Sequence, residues 1–362
     1  MARETRVHRI AMASPDDISG IAGLINAGEL APQSVIAILG KTEGNGCVND
    51  FTRGYAVQSL RLLLARHLTD EALDRVCLIM SGGTEGALSP HWIVISVTET
   101  SVPPTGALAT AQTITRPFEP SEIGTLAQAG LVADATKSCM ETANIASVED
   151  VHFVQIKCPL LTAERIEQAG GPDAVATTST LKSMGLSRGA SALGVAVALG
   201  EVERSALSDA RIGTDVSVYS GRASCSAGIE LMACEVLVMG MSDAWSGPLA
   251  IDHAVMQDCL DLSSVYSLLA RNLGPFAGQL AAHERKQVKA VLAKAEASQS
   301  GQVRGHRHSM LDDSDISSTR HARGFVAGVL AGATGLTELF VSGGAEHQGP
   351  DGGGPCAIIF ER

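Results

Sequence analysis

Ser226-Ala227-Gly228-Ile229-Glu230 has two counterparts in this chain, Ser81-Gly82-Gly83-Thr84-Glu85 and Ser342-Gly343-Gly344-Ala345-Glu346. Each is a serine, a small residue, glycine, a free position and glutamate, and each follows an apolar, strand-like run. Three copies spread along 362 residues point to an internal repeat, the first thing to settle in any reading of the chain. Upstream of each serine stand a lysine and then an arginine. Lys41, Lys157 and Lys294 close the apolar runs Ala37-Ile38-Leu39-Gly40, Phe153-Val154-Gln155-Ile156 and Ala290-Val291-Leu292-Ala293, and Arg53, Arg188 and Arg320 are expected to open helices. The lysine-to-serine interval differs between copies while the order is kept, as in diverged repeats whose insertions are confined to loops.

The repeats divide the chain into units 1–103, 107–250 and 252–362. In the first, Ser34 to Leu39 reads as a strand and Arg53 to His67 as a helix with Ala56, Leu60, Leu63 and Leu64 on one face. Val76 to Met80 and Trp92 to Val97 follow as strands. In the second, Ala107 to Thr113 leads into helical sequence from Ser121 to about Asn144. The strand from Val151 ends at Lys157, because Pro159 blocks further ladder bonding. Arg188 to Ala198 reads as a helix of small residues, and Ile229 to Met241 as one strand or two. The third unit shows strands at Val288 to Ala293, Leu339 to Val341 and Cys356 to Phe360, with helical spacing from Arg320 to Leu330. Strands mixed with helices in every unit give an α/β or α+β class, with helix faces covering one side of each sheet.

Composition narrows the function. Hydrophobic residues at 45% against 18% charged are globular proportions. A net charge of −12 opposes nucleic acid and anionic membrane surfaces, and 3% aromatics are too few for base stacking. The eight cysteines contain no C-x-x-C pair, which favours reduced thiols. There is no signal-like or membrane-spanning stretch, so a cytoplasmic protein is expected. The histidines include no H-E-x-x-H pair, and no cofactor is expected for catalysis.

A serine hydroxyl needs a base, and a lysine serves when burial and nearby positive charge depress its pKa. Lysines and arginines converging on one pocket would supply both conditions. The glycines allow close backbone approach and N–H groups aimed at an oxyanion. Arginine offers planar donors for carbonyl oxygens. The combination suits addition of serine to a ring amide carbonyl. Around a pseudo-threefold axis, the matching ligand is a small planar ring of alternating C=O and N–H. Taken singly, a strand-end lysine, a Gly-Gly or a helix-opening arginine is an ordinary surface feature; three ordered copies outweigh that reading.

Longer segments carry a resemblance. Lys41-Thr42-Glu43-Gly44-Asn45-Gly46-Cys47-Val48-Asn49-Asp50, Met80 to Gly86, Lys157-Cys158-Pro159-Leu160-Leu161-Thr162, Ser183 to Ser191, Asp313 to Arg323 and Ser342 to Pro350 resemble the cyanuric acid amidohydrolase and barbiturase family, over essentially the whole chain. The resemblance implies three pseudo-symmetric units around a pseudo-threefold axis, a central β-barrel with helices outside, and a homotetramer. It implies that Arg53, Ser81, Gly82, Arg188, Ser226, Ala227, Arg320, Ser342 and Gly343 line the substrate together with Lys41 and Lys294. Ser226 would be the nucleophile and Lys157 its base. A structural divalent metal, Mg²⁺ or Ca²⁺, would fall on Glu296, Ala345, Gln348, Gly349, Pro350 and Gly353, a set of hard oxygen donors. The implied reaction opens cyanuric acid to carboxybiuret, which decarboxylates to biuret.

The residues supply their own argument about the middle pair. Lys41 and Lys294 have Glu43 and Glu296 two residues on, sharing their face in an extended chain, whereas Lys157 has Pro159. A carboxylate favours the ammonium, so Lys157 is expected to be the neutral, basic lysine. Ser224 also precedes Ala227-Gly228, but only Ser226 keeps the spacing to its glutamate. Ser179-Thr180-Leu181-Lys182 fits S-x-x-K, yet the partner motifs of penicillin-binding enzymes are missing. Two rivals stand: barbiturase, with one CH₂ for an N–H and discrimination near Arg320 and Arg323, and a non-catalytic module binding a small metabolite.

Overall fold

A computed structural model describes all 362 residues. The first third contains β1 (Ala2–Ala11), α1 (Ser19–Asn26), β2 (Val35–Thr42), α2 (Phe51–Leu64), α3 (Asp70–Leu73), β3 (Cys77–Gly82) and β4 (His91–Thr100). The middle contains β5 (Ala107–Ile114), α4 (Leu126–Ala143), β6 (Val151–Cys158), α5 (Ala163–Gln168), α6 (Thr180–Ala198), β7 (Ala223–Ala227) and β8 (Glu235–Ser242). After β9 (Trp245–Ser246) come β10 (Leu249–Met256), α7 (Leu262–Leu273), α8 (Ala282–Gln287), β11 (Val288–Ala295), β12 (Gln302–Val303), β13 (His306–Arg307), α9 (Ser318–Thr334), β14 (Phe340–Gly343) and β15 (Gly354–Glu361).

Three mixed sheets result, and they share one topology: β1-β4-β2-β3, β5-β8-β6-β7 and β10-β15-β11-β14. In each, the lysine-bearing strand pairs parallel with the serine-bearing strand and antiparallel with the last strand. β9 extends the first sheet beside β1, and β12 and β13 form a separate ribbon.

Alternation along the strands explains the apolar runs. Ala37, Leu39, Phe153, Ala290 and Leu292 belong to a core drawn from all three sheets. Their neighbours Ile38, Val154, Ile156, Val291 and Ala293 face helices. With both faces covered, the strands lose the usual apolar–polar alternation. Each fully buried Leu, Ile or Phe contributes about 1.5–3 kcal/mol relative to exposure.

Several elements differ from the sequence reading. β1 is a full strand despite Arg3, Glu4 and Arg6, because most of its residues are only partly buried, so no apolar pattern marks it. Arg188 does not open a helix: Ser179 caps α6 through the Lys182 N–H, and Arg188 lies mid-helix. The glycines of α6 serve packing, since a Cβ on Gly194 would lie 2.5 Å from the Ala129 carbonyl of α4. Only Glu235 to Met241 of the 229–241 run is strand, and the third sheet begins at Leu249, ahead of the expected start near Asp252. No helix is long and apolar enough to cross a membrane.

Candidate active site

The parallel strand pairs fix the chemistry in register. Lys41 stands opposite Ser81, Lys157 opposite Ser226, and Lys294 opposite Ser342. Lys41 and Lys294 lie two residues beyond the central-core residues Leu39 and Leu292, and Lys157 two beyond the buried Gln155; all three lysines are fully buried. Ser224 pairs with Gln155, two residues down the strand from the Lys157 level.

The three serines meet. Ser226 Oγ lies 2.8 Å and Ser81 Oγ 3.3 Å from Ser342 Oγ. They border a small cleft, lined also by Gly46, Arg53, Met80, Gly82, Met184, Arg188, Ala227, Arg323 and Gly343. Thus the structure gathers the expected Arg53, Ser81, Gly82, Arg188, Ser226, Ala227, Ser342 and Gly343. Arg320 stands outside the lining with its side chain 41% exposed, and Arg323, at 3%, takes the place expected of it. One further helical turn carries Arg323 inward, which strand–helix spacing alone could not rank against Arg320.

The motif glutamates, which received no role from sequence, form the outer layer. Arg188 makes a two-pronged pair with Glu346 at 2.8 and 2.6 Å, and Arg323 makes one with Glu85 at 2.9 and 2.7 Å. Arg53 is looser: its Nε lies 3.7 Å from Glu230 while its other end donates to the Cys47 carbonyl at 2.8 Å. Each arginine therefore faces the serine-loop glutamate of a different sheet, in cyclic order. The signal for this was the fifth position of the repeat.

Glu230 instead binds lysine. Lys157 Nζ lies 2.8 Å from Glu230 Oε1 and donates to the Met80 carbonyl at 2.8 Å, with no hydrogen bond to Ser226. Lys41 and Lys294 reach their serines at 3.3 and 3.4 Å. This corrects the expectation that Lys157 alone lacks a carboxylate. Glu43 is exposed rather than packed on Lys41, and the carboxylate beside Lys157 arrives from the serine loop, not from its own strand. Burial lowers all three lysines: Lys41 falls far, with Arg323 adding to the effect, and Lys294 falls to about 7 with help from Arg188. For Lys157, Glu230 offsets part of the burial effect.

Other neighbours were not foreseen. Glu235, opposite Lys157 across β6 and β8, has a buried Oε2 without a partner, and burial raises its pKa to about 7. A charged residue opening an otherwise apolar strand was its only mark. The N–H groups of Gly83 and Gly228 already donate to the Thr42 and Cys158 carbonyls, so neither is free for an oxyanion. Arg53, Arg188 and Arg323 bring charged donors to the cleft.

The loop after Ser342 carries the residues expected around a metal. Glu296 accepts from the Ala345 and Ala297 N–H groups, and burial beside Glu346 raises its pKa to about 6. Glu296, Ala345, Gly349 and Pro350 line one concavity. The Gln348 side chain is already engaged: its oxygen accepts from Cys225 N–H at 2.6 Å and its amide donates to the Gly344 and Glu346 carbonyls. A further cluster of potential metal donors, His152, Asp252 and His253, lies elsewhere.

Three like sheets that bring serine, buried lysine and arginine to one cleft define a protein that opens cyclic amides, and the chain belongs to the family described as amidohydrolase ring-opening protein, which matches residues 6–361. Curated relatives include the cyanuric acid amidohydrolase of Azorhizobium caulinodans, 57% identical over 99% of this chain and 98% of that protein, and that of Bradyrhizobium sp. (strain ORS 375), 56% identical over 99% and 98%. The solved cyanuric acid hydrolase from A. caulinodans superposes with a TM-score of 0.92 at 56% identity, covering 99% of both chains. A second solved cyanuric acid hydrolase gives 0.94 at 47% identity over the full length of both.

Proposed function

We propose that this chain hydrolyses cyanuric acid, its three sheets arranged as units around a pseudo-threefold axis with a central barrel. The observation that carries the reading is the convergence of three register-matched Lys–Ser pairs and three arginines on one small cleft. Ser226 Oγ adds to a ring carbonyl carbon as its proton passes to Lys157. The ring C–N bond breaks, the lysine returns the proton to the departing nitrogen, and water hydrolyses the serine ester to carboxybiuret, which loses carbon dioxide to give biuret. Arg53, Arg188 and Arg323 hold the ring carbonyls.

A specific contact favours a second proton route. Lys294, near 7, reaches Ser342, which touches Ser226. Purified Lys157→Ala and Lys294→Ala proteins separate the routes: the first is expected to lose turnover by two or more orders of magnitude, and a wild-type rate there together with loss in Lys294→Ala would transfer the base role. Assaying cyanuric and barbituric acids side by side tests substrate choice. Undiminished turnover in Ser226→Ala would remove the mechanism.

The glycine-rich loop fits a structural Mg²⁺ or Ca²⁺. Glu296 would supply charge, and the main-chain carbonyls of Ala345, Gln348, Gly349, Pro350 and Gly353 would supply hard oxygens suited to such ions, those of Ala345 and Pro350 with one lone pair already engaged by the Gln348 and Gly353 N–H groups. The ion would offset the adjacent Glu296 and Glu346 carboxylates and pin the segment that bears Ser342. Metal analysis of the purified protein, with melting before and after chelation, tests this. A homotetramer, by light scattering, completes the proposal.

A further inference from the structure

The seam between the second and third sheets holds a donor cluster that the reaction does not use. His152 is near the start of β6, and Asp252 and His253 lie on β10. His152 precedes Lys157 by five residues on one strand, about 16 Å at strand rise. His152 Nδ1 and His253 Nδ1 face each other at 2.9 Å. Asp252 Oδ1 is 3.5 Å from His152 Nδ1, and all the donor atoms fall within 4.8 Å of one another. A tetrahedral ion with bonds of about 2.0–2.1 Å spaces its donors roughly 3.3 Å apart. The two rings need open by only a few tenths of an ångström.

The carboxylate is already oriented. Asp252 Oδ2 accepts from Arg271 Nε at 2.6 Å and Asn272 Nδ2 at 2.7 Å, and Oδ1 accepts from the His253 N–H at 2.7 Å. Such outer hydrogen bonds are what fix metal-binding side chains in place.

We propose that His152, His253 and Asp252 bind one borderline divalent transition cation of the Zn²⁺ class, fastening the second sheet to the third, with solvent completing the shell. In the arrangement seen, one Nδ1–H donates to the other Nδ1. On metal uptake that proton moves to Nε2 of the same ring, so both Nδ1 lone pairs face the ion with no net proton release. Two imidazole nitrogens and one carboxylate select Zn²⁺, Co²⁺ or Ni²⁺ over Mg²⁺ and Ca²⁺. That separates this site from the all-oxygen loop at Glu296.

The test is calorimetric titration of untagged, chelator-treated protein with ZnCl₂ in excess MgCl₂. One zinc per chain is expected, weakened roughly tenfold or more in His152→Gln and in His253→Gln. The wild-type melting temperature should rise with zinc, and that of the double variant should not. Co²⁺ added to the unsubstituted protein reads the ligands without any mutation: an intense tetrahedral visible spectrum is expected. No saturable zinc binding, equal binding by the double variant, or a weak octahedral cobalt spectrum would overturn the proposal.

Discussion

Replacing Glu230 with glutamine removes the carboxylate 2.8 Å from Lys157 Nζ while keeping an oxygen that can accept from it. At that distance two unit charges interact by about 6 kcal/mol with an effective dielectric constant near 20. Solvent at the cleft and the remaining carboxylate, Glu235, reduce the effect, and an opposite charge in contact commonly moves a pKa by about 1–3 units. Removing it stabilises neutral Lys157. If Lys157 must be neutral to take the Ser226 proton, the acidic limb of kcat/KM against pH moves down by about 1–3 units in Glu230→Gln. The assay is substrate loss from pH 5 to 10 in wild-type and variant proteins, with matched melting curves to show that both are folded. An acidic limb that stays in place would refute Lys157 as the titrating base; a limb that moves instead in Lys294 variants would point to the Ser342 route.

Arg323→Ala should lower kcat/KM by about 10²-fold or more, since one charged donor to a developing anion is worth about 3 kcal/mol; Arg320→Ala, further out, should cost less than tenfold, and equal losses would contradict the lining observed. Lys294 has a folded pKa near 7 and about 10.4 unfolded, so between those values the unfolded chain binds the extra proton and stability rises with pH. Lys294→Met should remove up to about 1.4 kcal/mol per pH unit from that slope, read by denaturant titration at pH 7.5, 8.5 and 9.5. Gly194→Ala forces α6 from the Ala129 carbonyl of α4 and should destabilise by about 1–3 kcal/mol, despite alanine's better helix propensity; an unchanged melting temperature would show that the helices separate freely.

The repeat was legible because its parts are local. A lysine closing an apolar strand and a serine closing the next are pentapeptide-scale signals, and identical sheet topology follows from repeating them. The helix at Arg188 was expected, but its start at Thr180 was not; Gly185 and Gly189 of α6 lie close to Glu346 and His347, an approach that only the packed structure shows. β1 was hidden by its charges. Arg320 and Arg323, one turn apart, look alike in sequence, and only the angle of α9 to the cleft puts Arg323 in its lining and leaves Arg320 outside.

Sequence by itself determined the threefold repeat, the register partners Lys41–Ser81, Lys157–Ser226 and Lys294–Ser342 in outline, and the family. Tertiary structure alone decided which charges meet. Glu230 approaches Lys157 from a loop more than seventy positions away, while Glu43, two positions from Lys41, points to solvent. Pairing along a strand is set by local periodicity. Electrostatic contact depends on distance through space, and that distance is fixed only when the sheets have packed.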